Sequence, residues 1–411
     1  MERLNVFLLG NHAGVLESER GRMSYRYLPE YLARQDAVPL SHTMPLQDEV
    51  FDQQTTRTFF ENILPPEVVR KKLGKILHLS RNNIFGFLKA IGGDCAGAVS
   101  LHAETTVAET GKPARMELSE EETARILSGL RKTPLNLGAA KGFRISVTGA
   151  QDKLIACVDG GKVFLPLFGE PSTHILKPPV PDYPDSVFNE YFCMKLAARV
   201  GIPVSECEIL FFEGKPCYCV RRYDRTVDQS GKVLRLHQED FCQMLGVGQE
   251  EKYESEGGPS IRACFGLIRE MRMGTVGQID FIRRVVFNYL IGNGDAHGKN
   301  FSVLYRGRRA ILAPSYDLLC TEVYGSLART CAMSIGGEFS FDSITRENFR
   351  RMAEECRIYP AAVLEEIDDL AGKIRAEASK LAEELNTTYP SSVYGKILSV
   401  IGRRVGRLGP S

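Results

Sequence analysis

Surplus charge is missing from this chain. Across 411 residues, 52 Lys and Arg face 51 Asp and Glu, a formal net charge of +1. No bulk electrostatic pull toward nucleic acid or anionic membrane follows, although a local basic face stays open. A long apolar run is missing from the start, M-E-R-L-N-V-F-L-L-G-N, which is too short in apolar residues for a signal peptide or a membrane span. The eleven Cys include no C-x-x-C. The closest pair, Cys217 and Cys219, alternates along an expected strand and lacks the second pair or nearby His that a metal centre requires. An odd number of dispersed thiols fits a reducing compartment, so the expected location is the cytoplasm. The three-glycine repeat G-x-G-x-x-G is absent around the small-residue turn S-V-T-G-A-Q-D-K, Ser146 to Lys153, which holds one Gly. That turn reads either as a plain hairpin or as a loop whose backbone N–H groups approach phosphate oxygens.

What is present is ordinary globular composition: 43% hydrophobic and 25% charged residues. The length suggests two or three packed subdomains. Residues 4–9 read as a strand. Residues 59–78 read as helical, with Pro65-Pro66 opening the second stretch. Asn83 to Leu88 is a short amphipathic piece, and Ser119 with Glu122 forms a capping box. His12, His42, His78 and His102 stand alone and read as structural or surface residues. Strand-like runs at Leu154–Val158 and Val163–Leu165 flank Asp159-Gly160-Gly161, a hairpin turn. Lys177 ends another apolar strand, either solvated there or poised as a point charge for phosphates. Asp185 to Val200 is an amphipathic helix. Its Glu190 is either solvated or a partner for Lys177, as a strand Lys pairs with a helix Glu in kinases. Ile209–Phe212 and Cys217–Val220 form a further hairpin running into Arg221-Arg222-Tyr223-Asp224-Arg225. Thr226 to Val233 reads as a polar loop, and Gln249 to Ser260 as an exposed, mobile one. Mostly helical patterning follows from His237, ending in a basic run, Arg403, Arg404 and Arg407, read as solvated.

The densest functional segment is F-N-Y-L-I-G-N-G-D-A-H-G-K-N-F-S-V-L-Y, Phe287 to Tyr305. Two apolar stretches hold a loop carrying Asn293, Asp295, His297, Lys299 and Asn300, so a scaffold fixes the side chains. Asp295 precedes Asn300 by the D-x-x-x-x-N spacing of the protein-kinase catalytic loop, and Asp317 heads an Asp-Leu-Leu run downstream. Gly294 and Gly298 read as leaving room for phosphates.

In order, S-V-T-G-A-Q-D-K-L, H-I-L-K-P, N-E-Y-F-C-M-K-L-A, R-R-Y-D-R, H-Q-E-D-F-C-Q-M-L-G, G-N-G-D-A-H-G-K-N-F-S-V-L and L-A-P-S-Y-D-L-L-C-T resemble the HipA family, kinase-fold toxins of bacterial toxin–antitoxin pairs. The resemblance is strong from Arg144 to Thr321 and extends to the N-terminal start. It implies an α+β, atypical two-lobed kinase-like fold: an N-terminal HipA-type subdomain (1–135), a small lobe with phosphate loop and hinge (136–230), and a mostly helical large lobe with the catalytic loop (231–411). It implies a serine/threonine protein kinase using ATP and Mg2+. Asp295 matches the catalytic Asp, and Asn300 and Asp317 the magnesium ligands. The phosphate loop would be Val147, Thr148, Gly149, Ala150, Gln151, Asp152 and Lys153, with Lys177 on the phosphates. Arg221, Arg222 and Tyr223 match the adenine-binding hinge, departing from the family at Arg221, where an acid is common. His297, Lys299 and Tyr316 would complete the nucleotide site. Ser146 matches an autophosphorylated serine whose modification would be self-inactivating. The implied partners are a HipB-like helix-turn-helix antitoxin, operator DNA mainly through that antitoxin, and a translation component such as an aminoacyl-tRNA synthetase as substrate. Two other readings are a small-molecule phosphotransferase and an inactive kinase fold serving as binding partner or co-repressor.

Overall fold

Alternating burial organises the first sheet. In β1 (Glu2–Leu8) the side chains of Leu4, Val6 and Leu8 are buried while their neighbours are not, which is the period-two signature of a strand with one covered face. β1 pairs antiparallel with β2 (Asn11–Glu19) and with β4 (Val99–Ala103), and β2 pairs with β3 (Arg22–Tyr27). Helices Gln53–Asn62, Glu67–Leu77 and Ile84–Ile91 contribute to the same apolar core. The helical region at 59–78 is two helices, as the Pro65-Pro66 break implied: Pro66 cannot continue the first and instead precedes the second. Asp52 and Asn83 cap helix starts by accepting from the backbone N–H groups of Thr55 and Gly86. The capping box at Ser119 and Glu122 forms in both directions.

The second sheet has the order β5-β7-β6-β8-β10-β9. Its strands are β5 (Ala114–Leu118), β6 (Leu154–Asp159), β7 (Lys162–Leu167), β8 (His174–Lys177), β9 (Cys207–Phe212) and β10 (Lys215–Arg221). The Gly160-Gly161 turn joins β6 to β7, both glycines with positive φ, as a two-residue hairpin loop requires. Thr226 to Val233 is no loop but a small hairpin, β11 (Arg225–Val227) with β12 (Val233–Arg235). The Asp228 carboxylate closes its turn by accepting from the N–H groups of Ser230 and Lys232. Three-residue strands are too short for their period to register in sequence.

The computed structural model describes residues 1–103, 113–137, 140, 142–146, 148–307 and 309–409. The chain divides into two units. Unit 1 comprises 1–178, 210–250 and 303–309, and holds the first sheet and most of the second; unit 2 comprises 179–209, 251–302 and 310–411, and is mainly helical. In unit 2 the helices Ser186–Arg199, Ile261–Glu270, Gly274–Leu290, Arg346–Glu355, Pro360–Thr388 and Val393–Arg407 supply most of the buried apolar surface. Among the described residues, no helix is long and apolar enough to cross a membrane.

Unit 1 also contains a buried ionic knot. Asp94 accepts from Arg225 at 2.8 Å, Arg235 at 3.0 Å and the Ser172 hydroxyl at 2.6 Å, while Arg222 donates to Asp224 at 2.8 Å. Burial alone would raise the Asp94 pKa; the guanidiniums of Arg225, Arg235 and Arg222 overcome it and hold the carboxyl well below the usual range.

Candidate active site

Unit 1 carries the small-residue turn. Ser146 is fully buried, its N–H donating to the Asp94 carbonyl at 3.0 Å and its hydroxyl to the Ile63 carbonyl at 2.8 Å. Val147 lies outside the described residues. Lys153 is buried and donates across the turn to the Thr148 carbonyl at 2.6 Å. Gly149 has φ +100°, and a Cβ there would stand 2.5 Å from the Lys153 ammonium. The backbone conformation favours glycine, whereas the Lys153 ammonium, at the end of a flexible side chain, can move aside. Thr148, Gln151 and Asp152 are half-buried, and Gly149 and Ala150 exposed.

Lys177 ends β8 opposite Tyr218 of β10, with its ammonium 5.5 Å from the Tyr218 ring centroid. It is only 4% exposed, which removes the solvated strand-end reading. In the segment after β10, Arg221 is exposed, and Tyr223 donates its hydroxyl to Gln238 at 2.8 Å. Arg222 is buried, its donors spent on Asp224, on the Ser172 hydroxyl at 2.9 Å and on the Cys95 carbonyl at 2.9 Å. Any adenine contact from this segment therefore falls to the backbone or to its neighbours.

Unit 2 carries the loop after helix Gly274–Leu290. That helix ends at Ile291, and Gly292 follows with φ +69°. The turn is braced from one side by Thr321, whose N–H and hydroxyl both donate to the Gly292 carbonyl while its hydroxyl accepts from the Gly294 N–H at 2.8 Å. A Cβ on Gly294 would meet the Thr330 carbonyl at 2.6 Å. Glycine at 294 thus admits a neighbouring strand and not a phosphate, which corrects the sequence reading. Asn293 accepts from the Asp295 N–H at 3.1 Å, and Asn300 donates its amide to the Asp295 carbonyl at 2.7 Å. The D-x-x-x-x-N spacing therefore closes a turn, locking Asp295 and Asn300 against each other. Tyr316 reaches the same loop, its hydroxyl donating to the Lys299 carbonyl at 2.7 Å and lying 2.6 Å from the Ser302 hydroxyl.

Asp317 sits in the left-handed backbone region, φ 52°. A non-glycine residue held there is strained, a condition that collects at functional sites. Because Asn300 spends its N–H on Asp295, its carboxamide oxygen is left as a hard donor. One such oxygen and one carboxylate suit Mg2+, which takes few protein ligands and keeps its waters. Among the described residues no group of three or more His, Cys, Asp or Glu could hold a metal ion.

Two residues that sequence reading missed touch this loop. Tyr253 donates its hydroxyl to the Asp295 carboxylate, and Lys252 lies with its ammonium 2.9 Å from His297 Nε2. Burial pushes the His297 pKa down to about 4, against the pull of Asp295 and with the help of Lys252 and Lys299. The imidazole is therefore neutral at pH 7 and accepts from Lys252. Both residues come from Gln249–Ser260, read above as a mobile loop. Residues 251–258 are instead a folded turn: Glu256 and Gly258 donate to the Tyr253 carbonyl, and Glu254 accepts from the Ser334 hydroxyl at 3.0 Å. Gly257-Gly258 was the available signal. Gly257 has φ +94°, and a Cβ on Gly258 would meet the Glu251 carbonyl at 2.4 Å.

In the basic tail Arg403 and Arg407 are exposed, as expected, and Arg404 is not. Arg404 is 1% exposed and donates to Glu322 at 2.9 Å and Asp342 at 3.0 Å. Glu322, whose side chain is fully buried, donates its own N–H to the Gly292 carbonyl. Glu190 is buried as well, 5% exposed on helix Ser186–Arg199, and not solvated.

Comparison with known proteins places this arrangement in a lineage. The family model described as the HipA-like C-terminal domain matches residues 145–378, and that of the HipA N-terminal domain matches residues 4–102. The protein Y4mE of Sinorhizobium fredii is 36% identical over 395 residues, 95% of this chain and 94% of that one. The serine/threonine-protein kinase toxin HipA of Shewanella oneidensis is 31% identical over 323 residues, 76% of this chain and 73% of that one. Among solved structures, the Shewanella oneidensis complex of HipA, HipB and operator DNA matches with TM-score 0.86 and 26% identity, covering 98% of this chain and 97% of that one. The fold is thus the α+β kinase-like fold of that toxin.

Proposed function

The chain belongs to the HipA family of kinase toxins, and from that membership we propose that it is a serine/threonine protein kinase acting as the toxin of a HipBA-like pair. The observation that carries this reading is the Asp295–Asn300 turn: an acid and a carboxamide five residues apart in sequence, with the Asn300 amide donating to the Asp295 backbone carbonyl at 2.7 Å. Asp295 would accept or orient the proton of the substrate hydroxyl. Asn300 and Asp317 would hold Mg2+, which offsets charge on the transferred phosphoryl group. Thr148 to Lys153 and Lys177 would contact ATP phosphates, with Val147 at the head of that loop. The segment Arg221 to Tyr223 would receive adenine, and His297, Lys299 and Tyr316 would support the nucleotide site. Phosphoryl transfer is catalysed mainly by positioning and charge neutralisation, and this inventory offers both without a nucleophilic side chain. We keep the division 1–135, 136–230 and 231–411 as the functional one.

The substrate is a translation component of the aminoacyl-tRNA synthetase kind. The antitoxin is a small helix-turn-helix HipB-like protein, through which operator DNA is bound and the operon co-repressed. Phosphorylation of Ser146 switches the kinase off. The place of action is the cytoplasm. The test is phosphoproteomics on cells expressing the wild type beside Asp295→Asn, with purified protein and labelled ATP in parallel. Protein phosphorylation in the wild type alone is the expected result. Equal transfer by Asp295→Asn removes the assignment of the base, transfer only to small molecules favours a metabolite phosphotransferase, and no transfer with antitoxin binding intact favours a co-repressor.

A further inference from the structure

The Tyr253 hydroxyl is directed at the residue assigned above as the base. Four features of unit 2 make this a built arrangement and not a chance approach. The turn 251–258 closes on itself through the N–H groups of Glu256 and Gly258 on the Tyr253 carbonyl, at 3.0 and 2.8 Å. It is tied to strand Thr330–Ile335 by Glu254 on the Ser334 hydroxyl at 3.0 Å. The neighbouring Lys252 donates to His297 Nε2 at 2.9 Å and accepts from the Gly298 N–H at 3.4 Å through its carbonyl. The Tyr253 ring meets the His297 imidazole edge-on, centroids 5.3 Å apart. One short turn therefore grips the loop on either side of Asp295.

The electrostatics fit a permanent donor. Burial, and next the Asp295 charge, drive the Tyr253 pKa far above its ordinary value, so the phenol is a protonated donor at neutral pH. The nearest Asp295 carboxylate oxygen lies 3.8 Å from His297 Nε2, too far for a hydrogen bond. The Asp295 side chain is still 43% exposed, so the phenol restrains the carboxylate without covering it.

We propose that Tyr253 is a positioning residue for phosphoryl transfer: its hydroxyl fixes the rotamer of Asp295 so that the carboxylate presents an oxygen to the acceptor hydroxyl, while the Lys252–His297 contact holds the turn in register. This rests on the reading of Asp295 as the base. A carboxylate that must be aligned with an incoming hydroxyl loses rate steeply when it is free to rotate.

The experiment uses the full chain with Tyr253→Phe, which keeps the ring against His297 and removes only the hydroxyl. Wild type, Asp295→Asn and Tyr253→Phe are assayed for transfer from ATP to the chain itself and to a synthetic peptide of residues 142–153. The expected result is a fall in kcat of roughly ten- to a hundredfold with KM for ATP and for the peptide unchanged. An unchanged kcat overturns the proposal. So does a lowered peptide KM at constant kcat, which would make Tyr253 a competitor for the acceptor's place. If the wild type transfers no phosphate, the kinase reading itself fails, and amide hydrogen exchange over 251–258 decides the contact: faster exchange in Tyr253→Phe supports a restraining role, equal exchange overturns it.

Discussion

At the scale of single residues, the buried groups set the behaviour with pH. His237, buried and donating its Nε2–H to the Leu40 carbonyl at 3.0 Å, is pushed by burial to about 4, as is His297. An unfolded His takes up its proton near pH 6.5, whereas these two resist until about 4. Acid therefore favours the unfolded chain, and stability falls as pH drops from 6.5 toward 4. Glu239 works the other way: burial raises it to about 7, against donors from Ser41, Tyr305 and His42. Its contribution is lost as pH rises from about 4.5 to 7. The histidines together outweigh it, so the urea midpoint should be lower at pH 4.5 than at pH 7, and His237→Gln should flatten that slope. Ser146 is the other instructive residue. Its hydroxyl faces a carbonyl in a fully buried place. A phosphoserine there would aim ~1.5–2 negative charges at an acceptor, so the modified turn has to leave. The phosphorylated form should show new protease cleavage within 142–153 and ATP affinity weakened at least tenfold, measured by limited digestion and calorimetry.

At the scale of elements, the helix Val393–Arg407 is a brace for the loop that starts at Gly292. Arg404 neutralises the buried Glu322, and residues 321–322 hold the Gly292 carbonyl. Without Arg404, Glu322 keeps the half-exposed Arg329 and Arg403 on one oxygen, at 2.9 and 3.2 Å, while its other, buried oxygen loses its cation. Arg404→Ala should destabilise unit 2 by about 3–5 kcal/mol in urea unfolding. The paired change Arg404→Met with Glu322→Leu should recover most of that stability, because a buried ion pair replaced whole by apolar side chains leaves nothing unpaired. The turn at Gly294 makes a related point. Gly294→Ala drives a Cβ against a backbone carbonyl that cannot rotate away, so phosphate transfer should drop sharply even though Asp295 is untouched.

At the scale of the whole molecule, neither unit is one continuous stretch of chain. A fragment ending at residue 178 keeps β8 but loses its partner strand β10, and keeps Asp94 but loses Arg222, Arg225 and Arg235. An exposed strand edge and an unpaired buried carboxylate follow, so this fragment should be insoluble or lack a cooperative melting transition in circular dichroism, unlike the full chain. In cells, the toxin reading makes a further claim about the intact protein. Asp295→Asn should abolish growth arrest while the antitoxin still co-purifies with it, since the change removes one proton acceptor and no surface.

The sequence alone determined whatever is written locally. The alternation of β1, the capping box at Ser119, the Gly160-Gly161 hairpin and the Asp295–Asn300 turn all depend on neighbours within a few residues, where backbone geometry and side-chain period are read directly. Ordered motifs along the chain were enough for the family. The tertiary structure decided the rest. Which arginine of the basic tail is buried, why Gly294 must be glycine, and what holds the Asp295 carboxylate are all contacts between residues far apart in sequence. Tyr253 and Asp295 are 42 positions apart, and Arg404 and Glu322 are 82. No local period encodes such pairs: a tyrosine in a Gly-rich polar segment looks solvated until the fold brings an acid to meet it. Charge composition misled for the same reason. An Arg reads as surface because burying it alone is costly, and only the fold reveals the carboxylate that cancels that cost.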